Sequence, residues 1–213
     1  MPSIADLRNE YAGRPLLEST VLADPIAQFE LWMEEGIKAQ VYEPTAVTLA
    51  TVEPDGNPGA RIVLLKHFDQ AGFCFFTNYQ SAKGAAIAAN PQASLLFYWA
   101  ELHRQVRIAG RVEKTTTEES DTYFARRPRG SQISAWASNQ SDVIGSRAAI
   151  DEATARYQAE FEGKPVPCPP HWGGYRLVHE SIEFWQGQPN RLHDRLRFSR
   201  RDQSEWAIER LAP

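Results

Sequence analysis

The sequence has few cysteines, few lysines and no long apolar run. Its two cysteines, Cys74 and Cys168, lie outside any CxxC or Cys/His spacing, so no zinc site or other metal site is predicted. No apolar stretch reaches the roughly 18 residues that a membrane span needs. The N-terminus lacks the basic and apolar regions of a signal peptide. We therefore expect a cytoplasmic protein without a transmembrane segment.

The charge balance excludes one class of partner and suggests another. A net charge of −4 and a pI of about 5.8 give no support to a nucleic-acid-binding function. Only five of the 23 lysines and arginines are lysines. Arginine suits the bidentate recognition of phosphate and carboxylate groups. A bias in composition would explain the same excess, so both interpretations stay open.

The length bounds the domain organisation. A chain of 213 residues suggests one or two domains, and about 70% of its surface should be buried on folding. Residues 1–20 carry charge without clear periodicity, which predicts a mobile or loosely docked arm. We expect residues 21–213 to form a single domain.

Short apolar segments between turn signals predict an antiparallel barrel of mainly β structure with peripheral helices. The predicted strands cover 46–52, 60–67, 73–77, 94–99, 105–112, 175–178, 182–186, 196–199 and 206–210. The predicted helices begin near Pro25, Ser81, Thr117 and Ala148. No GxGxxG motif follows the first strand, so a Rossmann cofactor site is not supported.

Two polar clusters lie in the first half of the chain. In the first, Arg61 and Lys66 bracket four aliphatic residues, and their spacing places them on opposite faces of an ideal strand. One or both must then lie near a strand end, a bulge or an interface, or the segment is an edge strand with solvated ends. The second cluster, 77–83, ends a strand and begins a helix with hydroxyls and Lys83. It predicts either an anion site or a plain capped helix.

Two further clusters lie in the second half. Three arginines within 126–129, flanked by Tyr123 and Ser131, predict either a phosphomonoester site or a solvated loop. In the last cluster, Arg191 and His193 are two residues apart and face one way in extended backbone. His193 is either an acid–base group or a structural histidine. Together the clusters favour a phosphorylated planar cofactor, a phosphorylated substrate, or both, and no Ser/His/Asp triad is evident.

In their order along the chain, these segments resemble the FMN-dependent pyridoxine/pyridoxamine 5′-phosphate oxidases over nearly the whole length. The matching segments are 61–66, 127–129, 131–133, 135–136, 140–141, 172–174, 182–187, 191–195 and 210–213. The resemblance implies an FMN-binding split β-barrel. It also implies a homodimer with two FMN sites at the subunit interface, in which the C-terminal strands of the 21–213 domain take part in dimerisation.

The resemblance also implies roles for individual residues. FMN contacts from one subunit are implied for Arg61, Ile62, Val63, Leu64, Leu65, Lys66, Phe76, Thr77, Lys83 and Gln105. FMN contacts from the other subunit are implied for Gln140, Ser141, Trp185 and Arg195. The clamp on the substrate phosphate is implied to be Lys66, Tyr123, Arg127 and Ser131. Arg191 and His193 match the catalytic residues that orient the pyridine ring and its C4′ substituent. Arg8 and Tyr11 match substrate-binding residues in a segment that closes over the substrate.

The implied reaction is a hydride transfer from C4′ of pyridoxine 5′-phosphate or pyridoxamine 5′-phosphate to N5 of FMN. The products are pyridoxal 5′-phosphate and, after O2 reoxidises the flavin, H2O2. One alternative is a related flavin oxidase of phenazine biosynthesis, which shares the Arg-x-His motif but not the phosphate clamp. Another is a non-catalytic protein that binds FMN or pyridoxal phosphate.

One position departs from the family pattern and yields a prediction. The family usually has Ser-Arg-Lys where this chain has Ser81-Ala82-Lys83, and the missing arginine binds the FMN phosphate. Because a charged hydrogen bond contributes about 1.5–3 kcal/mol, an Ala82→Arg variant should bind FMN roughly 10- to 150-fold more tightly. Fluorescence titration of both proteins with FMN measures this difference, and equal dissociation constants would contradict it.

Overall fold

The computed structural model describes residues 3–7, 10–201 and 205–213. Its α-helices are α1 (Pro25–Lys38), α2 (Ala82–Ala89), α3 (Thr117–Arg126), α4 (Arg129–Ala137) and α5 (Arg147–Glu160). Its strands are β1 (Ala46–Val52), β2 (Pro58–Leu64), β3 (His67–Asp69), β4 (Gly72–Asn78), β5 (Gln92–Trp99), β6 (Arg104–Lys114), β7 (Trp172–Gln186), β8 (Asp194–Arg200) and β9 (Trp206–Arg210). Short 3-10 turns lie at Ile4–Asp6, Ala100–Leu102 and Pro189–Arg191. Within the described residues, no helix is long and apolar enough to cross a membrane.

The strands form one sheet whose hydrogen-bonded order is β2-β1-β5-β6-β7-β4-β3, with β8 joining β7 to β9. The prediction of separate strands at 175–178 and 182–186 is wrong, because β7 is continuous over 15 residues. Its first half pairs antiparallel with β4 and its second half pairs antiparallel with β8. Backbone pairing thus carries the strand through a polar stretch that interrupts the apolar pattern of the sequence.

The predicted strand over 60–67 is also divided. β2 ends at Leu64 and β3 begins at His67, where it pairs with Cys74 of β4. Between them, the Lys66 N–H donates to the Cys74 carbonyl oxygen at 2.9 Å. The expectation that at least one of the two bracketing cations lies at a strand end is therefore confirmed for Lys66.

The helix starts follow their capping residues. Asp24 caps α1 and accepts a hydrogen bond from the Ile26 N–H at 2.9 Å, while the Ser81 side chain caps α2. α3 begins at Thr117, as predicted, and Thr116 forms a capping box at its start. α4 was not predicted, because Pro128 stands at its N-cap position and no side chain caps it.

The chain divides into two compact units, each built from separate parts of the sequence. Unit 1 comprises the chain up to Leu49 together with Ser94–Gly110 and His179–Pro213, and unit 2 comprises Ala50–Ala93 and Arg111–Val178. The single domain predicted for 21–213 stays a prediction.

In unit 1, α1 packs its apolar face onto buried aromatic residues. The Phe29 ring lies 5.2 Å from that of Phe97, and the Trp32 ring meets that of Phe184 edge-on at 5.2 Å. All four residues are buried. The apolar face ends before the last turn of the helix, where Ile37 is 58% exposed.

In unit 2, helices α3 to α5 and the loop that follows them enclose an aromatic core. Its buried residues are Phe124, Ile133, Phe161, Val166 and Trp172. From β4, Phe76 packs against this core, and Cys74 on the same strand is 2% exposed. Both cysteines are free thiols. This core supports the helix ends and the strand ends that line the cavity described below.

The part of the N-terminal arm beyond residue 10 is bound to the rest of unit 1. The Gly13 N–H donates to the Gly187 carbonyl oxygen at 3.2 Å, and the Leu16 N–H donates to Asp194 at 3.1 Å. Arg210 donates to the Leu16 carbonyl oxygen and forms an ion pair with Glu18 at 2.7 Å. These contacts place 13–18 against the 187–194 segment and β9.

Candidate active site

Unit 2 contains a cavity of about 670 Å³, cavity A, between the ends of β2 and β4 and the helices α2 to α4. Eleven of the predicted site residues line it: Ile62, Val63, Leu64, Lys66, Phe76, Thr77, Lys83, Tyr123, Arg127, Ser131 and Gln140. Segments that are far apart in the sequence therefore meet at one place, and most of the predicted phosphate-binding groups are among them.

The arginine cluster at 126–129 has divided roles. Arg126 and Arg127 line cavity A. Arg129 instead donates to the carbonyl oxygens of Phe161 and Lys164 at 2.5 and 2.9 Å, beyond the end of α5. Pro128 separates Arg127 from Arg129, because a proline at this position ends α3 before the chain turns into α4.

Arg127 is the most informative residue of cavity A. Its guanidinium carbon lies 4.6 Å from the centre of the Trp172 ring. Its Nη1 atom is buried and has no hydrogen-bond partner among the residues that the structure describes. Burial lowers the pKa of Arg127, but a guanidinium keeps its charge in proteins. A buried cation with an open donor predicts an anionic ligand with oxygen acceptors.

Lys83 forms the second polar end of cavity A. Its Nζ donates to Gln140 Oε1 at 2.8 Å, to Thr77 Oγ1 at 3.2 Å and to Ser81 Oγ at 3.3 Å. Burial lowers the pKa of Lys83, and the nearby charge of Arg61 lowers it further. An anion here would meet a cation whose side chain is already oriented by three acceptors.

The loop after α4 reaches this end of cavity A within the same chain. Gln140 contacts Thr77 as well as Lys83, and Ser141 Oγ accepts a hydrogen bond from the Ala82 N–H at 3.1 Å, at the start of α2. Ser141 has φ of 82°, a conformation rarely adopted by non-glycine residues. The resemblance implies that Gln140 and Ser141 come from the other subunit. Within a single chain both contact Lys83 or its neighbours, and their predicted FMN contacts from the other subunit stay predictions.

Two of the predicted FMN contacts in the 61–66 segment lie outside the lining of cavity A. Arg61 forms an ion pair with Glu53 at 2.6 Å and donates to Thr51. Leu65 is 4% exposed and belongs to the core. Their predicted contacts with FMN therefore stay predictions.

A smaller cavity of about 290 Å³, cavity B, lies in unit 1. It is lined by Gln105, Trp185 and Arg195, all three predicted as FMN contacts, and also by Arg107 and Glu183. The Arg195 side chain forms an ion pair with Glu183 at 2.8 Å. This cavity joins residues of β6, β7 and β8.

Next to these strands, Tyr11 and His193 pack on Trp185. The His193 ring lies 4.6 Å from the Trp185 ring, and the Tyr11 ring lies 5.5 Å from that of His193. Three predicted site residues from distant parts of the sequence are thereby brought together in unit 1. Arg8 lies outside the described residues.

The protonation of His193 follows from one hydrogen bond. The Gln188 N–H donates to His193 Nδ1 at 3.1 Å, so the neutral ring carries its proton on Nε2. Burial lowers the pKa of His193, and the charge of Arg191 lowers it further. His193 therefore stays a neutral Nε2–H donor to lower pH than a free histidine.

The backbone before His193 is strained. Asn190 and Arg191 have φ of 56° and 61°, in the left-handed region that costs a non-glycine residue roughly 1–2 kcal/mol. Such outliers cluster at functional sites. Here the strain accompanies the turn that presents the exposed Arg191 side chain.

The docking of the arm gives a prediction about Gly13. A Cβ atom at this position would lie 2.8 Å from the Gly187 carbonyl oxygen and 2.0 Å from Nε2 of Gln186. Gln186 is 2% exposed and already bonded to two carbonyl oxygens, so it cannot move aside easily. Gly13→Ala should cost about 1–3 kcal/mol of docking free energy and make the arm more sensitive to limited proteolysis. Gly145→Ala, where a Cβ meets nothing within 4 Å, is the control, and equal cleavage rates would contradict the prediction.

Sequence reasoning missed several lining residues. Ser134, Ala135 and Ser138 line cavity A from α4 or its end. Their spacing from Ser131 is helical, and they were missed because α4 itself was not predicted. Glu183 lies within a matched segment, but no motif marked its side chain as part of a site.

Comparison with known proteins identifies both the family and the fold of the chain. A sequence profile described as pyridoxamine 5′-phosphate oxidase matches residues 33–159. A second, described as the pyridoxine 5′-phosphate oxidase C-terminal dimerisation region, matches 172–213. A pyridoxine/pyridoxamine 5′-phosphate oxidase of Burkholderia lata is 58% identical over the full length of both chains. One from Acaryochloris marina is 54% identical and covers 99% of this chain and 96% of its own.

Solved structures show the same fold. The structure of PhzG from Burkholderia lata 383, in complex with tetrahydrophenazine-1-carboxylic acid, has a TM-score of 0.87 and 32% identity, and covers 94% of this chain and 99% of its own. A pyridoxamine 5′-phosphate oxidase-related, FMN binding protein from Nostoc punctiforme PCC 73102 has a TM-score of 0.71 and 20% identity. The match covers 89% of this chain and 98% of that one. The latter comparison bears on the fold alone.

The strand order and these neighbours define an antiparallel split β-barrel with peripheral helices, which confirms the predicted fold. Within that class, the chain belongs to the pyridoxine/pyridoxamine 5′-phosphate oxidase family and is an oxidoreductase of that family. The dimerisation region at its C-terminal end indicates a homodimer.

Proposed function

We propose that this chain oxidises pyridoxine 5′-phosphate and pyridoxamine 5′-phosphate to pyridoxal 5′-phosphate, with FMN as its cofactor and O2 as the final acceptor. The observation that carries the proposal is the buried Nη1 of Arg127, which has no partner among the described residues and lines cavity A with Lys66, Tyr123 and Ser131. A phosphomonoester supplies the several oxygen acceptors that this group of donors requires.

The residues present also fit FMN. Its phosphate would take the donors at the start of α2, where Lys83 and the Ala82 N–H now bind side chains of the 140–141 loop. Its flat ring system would be held by cavity B residues such as Trp185 and Arg195. We propose that a homodimer joins cavity A of one subunit to cavity B of the other. FMN supplies the hydride acceptor, and O2 is the final oxidant, with H2O2 as the second product.

The task of the protein in this reaction is positioning. Arg127, Lys66 and Ser131 hold the substrate phosphate. His193 offers a neutral Nε2–H donor, and Arg191 a fixed positive charge, to the pyridine ring and its C4′ substituent. Cations at the site also stabilise negative charge that develops on the cofactor during the reaction.

The similarity to PhzG favours one second candidate, the oxidation of an unphosphorylated dihydro- or tetrahydro-aromatic acid. The ligand in that structure is a carboxylic acid, and a carboxylate would also suit Arg127. The higher identity to the pyridoxine/pyridoxamine 5′-phosphate oxidases supports the first proposal.

A visible absorbance spectrum of the FMN-loaded protein tests the proposal. Anaerobic addition of pyridoxine 5′-phosphate should bleach the flavin absorbance, and pyridoxamine 5′-phosphate in air should release H2O2. Unphosphorylated pyridoxamine should do so far more slowly. Bleaching by tetrahydrophenazine-1-carboxylic acid alone would favour the second candidate. A bound flavin that no substrate reduces would leave a non-catalytic binding protein.

A further inference from the structure

In unit 1, two guanidinium groups share one buried carboxylate. The Glu183 side chain is 8% exposed. Its Oε1 accepts a hydrogen bond from Arg195 Nε at 2.8 Å, and its Oε2 accepts one from Arg107 Nη2. Arg195 also donates from Nη1 to the Ala212 carbonyl oxygen at 2.8 Å. The Arg195 guanidinium is therefore held from two directions.

This cluster forms one wall of cavity B. Glu183 and Trp185 are two residues apart on β7 and share a face, and Arg195 is the cross-strand partner of Trp185. A carboxylate buried this deeply is costly unless it is paired, and the two guanidinium groups satisfy it. With one negative and two positive side chains, the cluster keeps a net positive charge.

We propose that Glu183 is a positioning residue of the cofactor site. It fixes the orientation of the Arg195 guanidinium at the wall of cavity B, and Arg107 keeps the cluster cationic. The inference rests on the proposed function, in which Gln105, Trp185 and Arg195 contact FMN but neither Glu183 nor Arg107 has a role.

The direction in which the FMN dissociation constant changes when Glu183 is neutralised distinguishes positioning from a simple charge effect. If Glu183 acted only through its negative charge, its neutralisation would tighten the binding of the anionic FMN. If it acts through Arg195, neutralisation frees the guanidinium and weakens FMN binding. The expected rise in the dissociation constant is about 10-fold, the equivalent of one charged hydrogen bond.

The experiment is a double-mutant cycle on the full-length chain, read by quenching of FMN fluorescence on titration. Glu183→Gln should raise the dissociation constant about 10-fold in the wild-type background and should have little further effect in an Arg195→Gln background. Glu209→Gln is the matched control. It removes a carboxylate that pairs with Arg197 on the same sheet but is 52% exposed, and it should leave FMN binding unchanged.

An unchanged or tighter FMN constant in Glu183→Gln would overturn the inference, as would effects of the two substitutions that simply add. If Glu183→Gln does not fold in a thermal melt, Glu183→Asp replaces it. A smaller rise is then expected, again present only when Arg195 is intact. Failure of the wild-type chain to bind FMN would overturn the proposed function together with this inference, whereas normal wild-type binding with unaltered variants would overturn the inference alone.

Discussion

An Arg127→Ala variant is expected to raise the KM for pyridoxamine 5′-phosphate by about 30- to 5,000-fold, because truncating one partner of a buried charge pair costs roughly 2–5 kcal/mol. The buried Nη1 of Arg127 has no hydrogen-bond partner among the described residues and is therefore available to a ligand. The slow reaction of unphosphorylated pyridoxamine should change little, since it lacks the group that Arg127 binds. Steady-state H2O2 release with both substrates measures the two effects.

Arg129 is the matched control for this prediction, because it lies two residues away in the same cluster. It binds the backbone carbonyl oxygens of Phe161 and Lys164. Arg129→Ala should lower thermal stability and leave the KM for the phosphorylated substrate near the wild-type value. If Arg127→Ala keeps a wild-type KM, or if Arg129→Ala raises it equally, the proposed phosphate clamp is wrong.

The second large effect is expected at Arg191. Arg191→Ala should lower kcat/KM by about 100-fold, because loss of an orienting group allows misplacement of the reacting atoms. FMN affinity should remain nearly unchanged, so turnover and FMN titration together separate orientation from cofactor binding. Arg197→Ala, which removes a half-exposed ion pair between Arg197 of β8 and Glu209 of β9, serves as the control. Unchanged kcat/KM in Arg191→Ala would contradict the orienting role.

The same variant should shift the pH dependence. In the wild type, burial and then the charge of Arg191 lower the pKa of His193. Removal of Arg191 takes away the second cause, so the pKa of His193 rises toward its ordinary value. If neutral His193 is the working form, the loss of rate on acidification should begin at higher pH in Arg191→Ala.

Local signals were sufficient for elements whose ends are marked by side chains. Asp24 and Ser81 cap the two helices that were predicted to begin near Pro25 and Ser81, and a turn within 54–57 separates β1 from β2. The local signals failed where backbone pairing or tertiary contacts determine the extent of a strand or the formation of a helix. β7 continues through polar residues because a partner strand pairs with each half, and α4 forms without a side-chain cap.

The candidate site shows the same division. Residue types and the family resemblance identified eleven of the residues that line cavity A, including Arg127 and Lys83. Neither could show that Arg129 turns away to bind carbonyl oxygens, or that Gln140 reaches Lys83 within one chain. Those outcomes depend on where α4 points, which no pattern within the 126–141 segment encodes.

The two free thiols have a practical consequence. Burial raises the pKa of Cys74, and it raises that of Cys168 to about 12. Because the thiolate is the reactive form, both thiols should react slowly with alkylating reagents at neutral pH, and the buried Cys74 should react only after its surroundings open. The labelling rate of Cys74 therefore measures local opening of β4, whereas that of the partly exposed Cys168, in the proline-rich loop before β7, reports how readily its thiol loses a proton. The native chain carries its own pair of kinetic reporters, with no engineered probe.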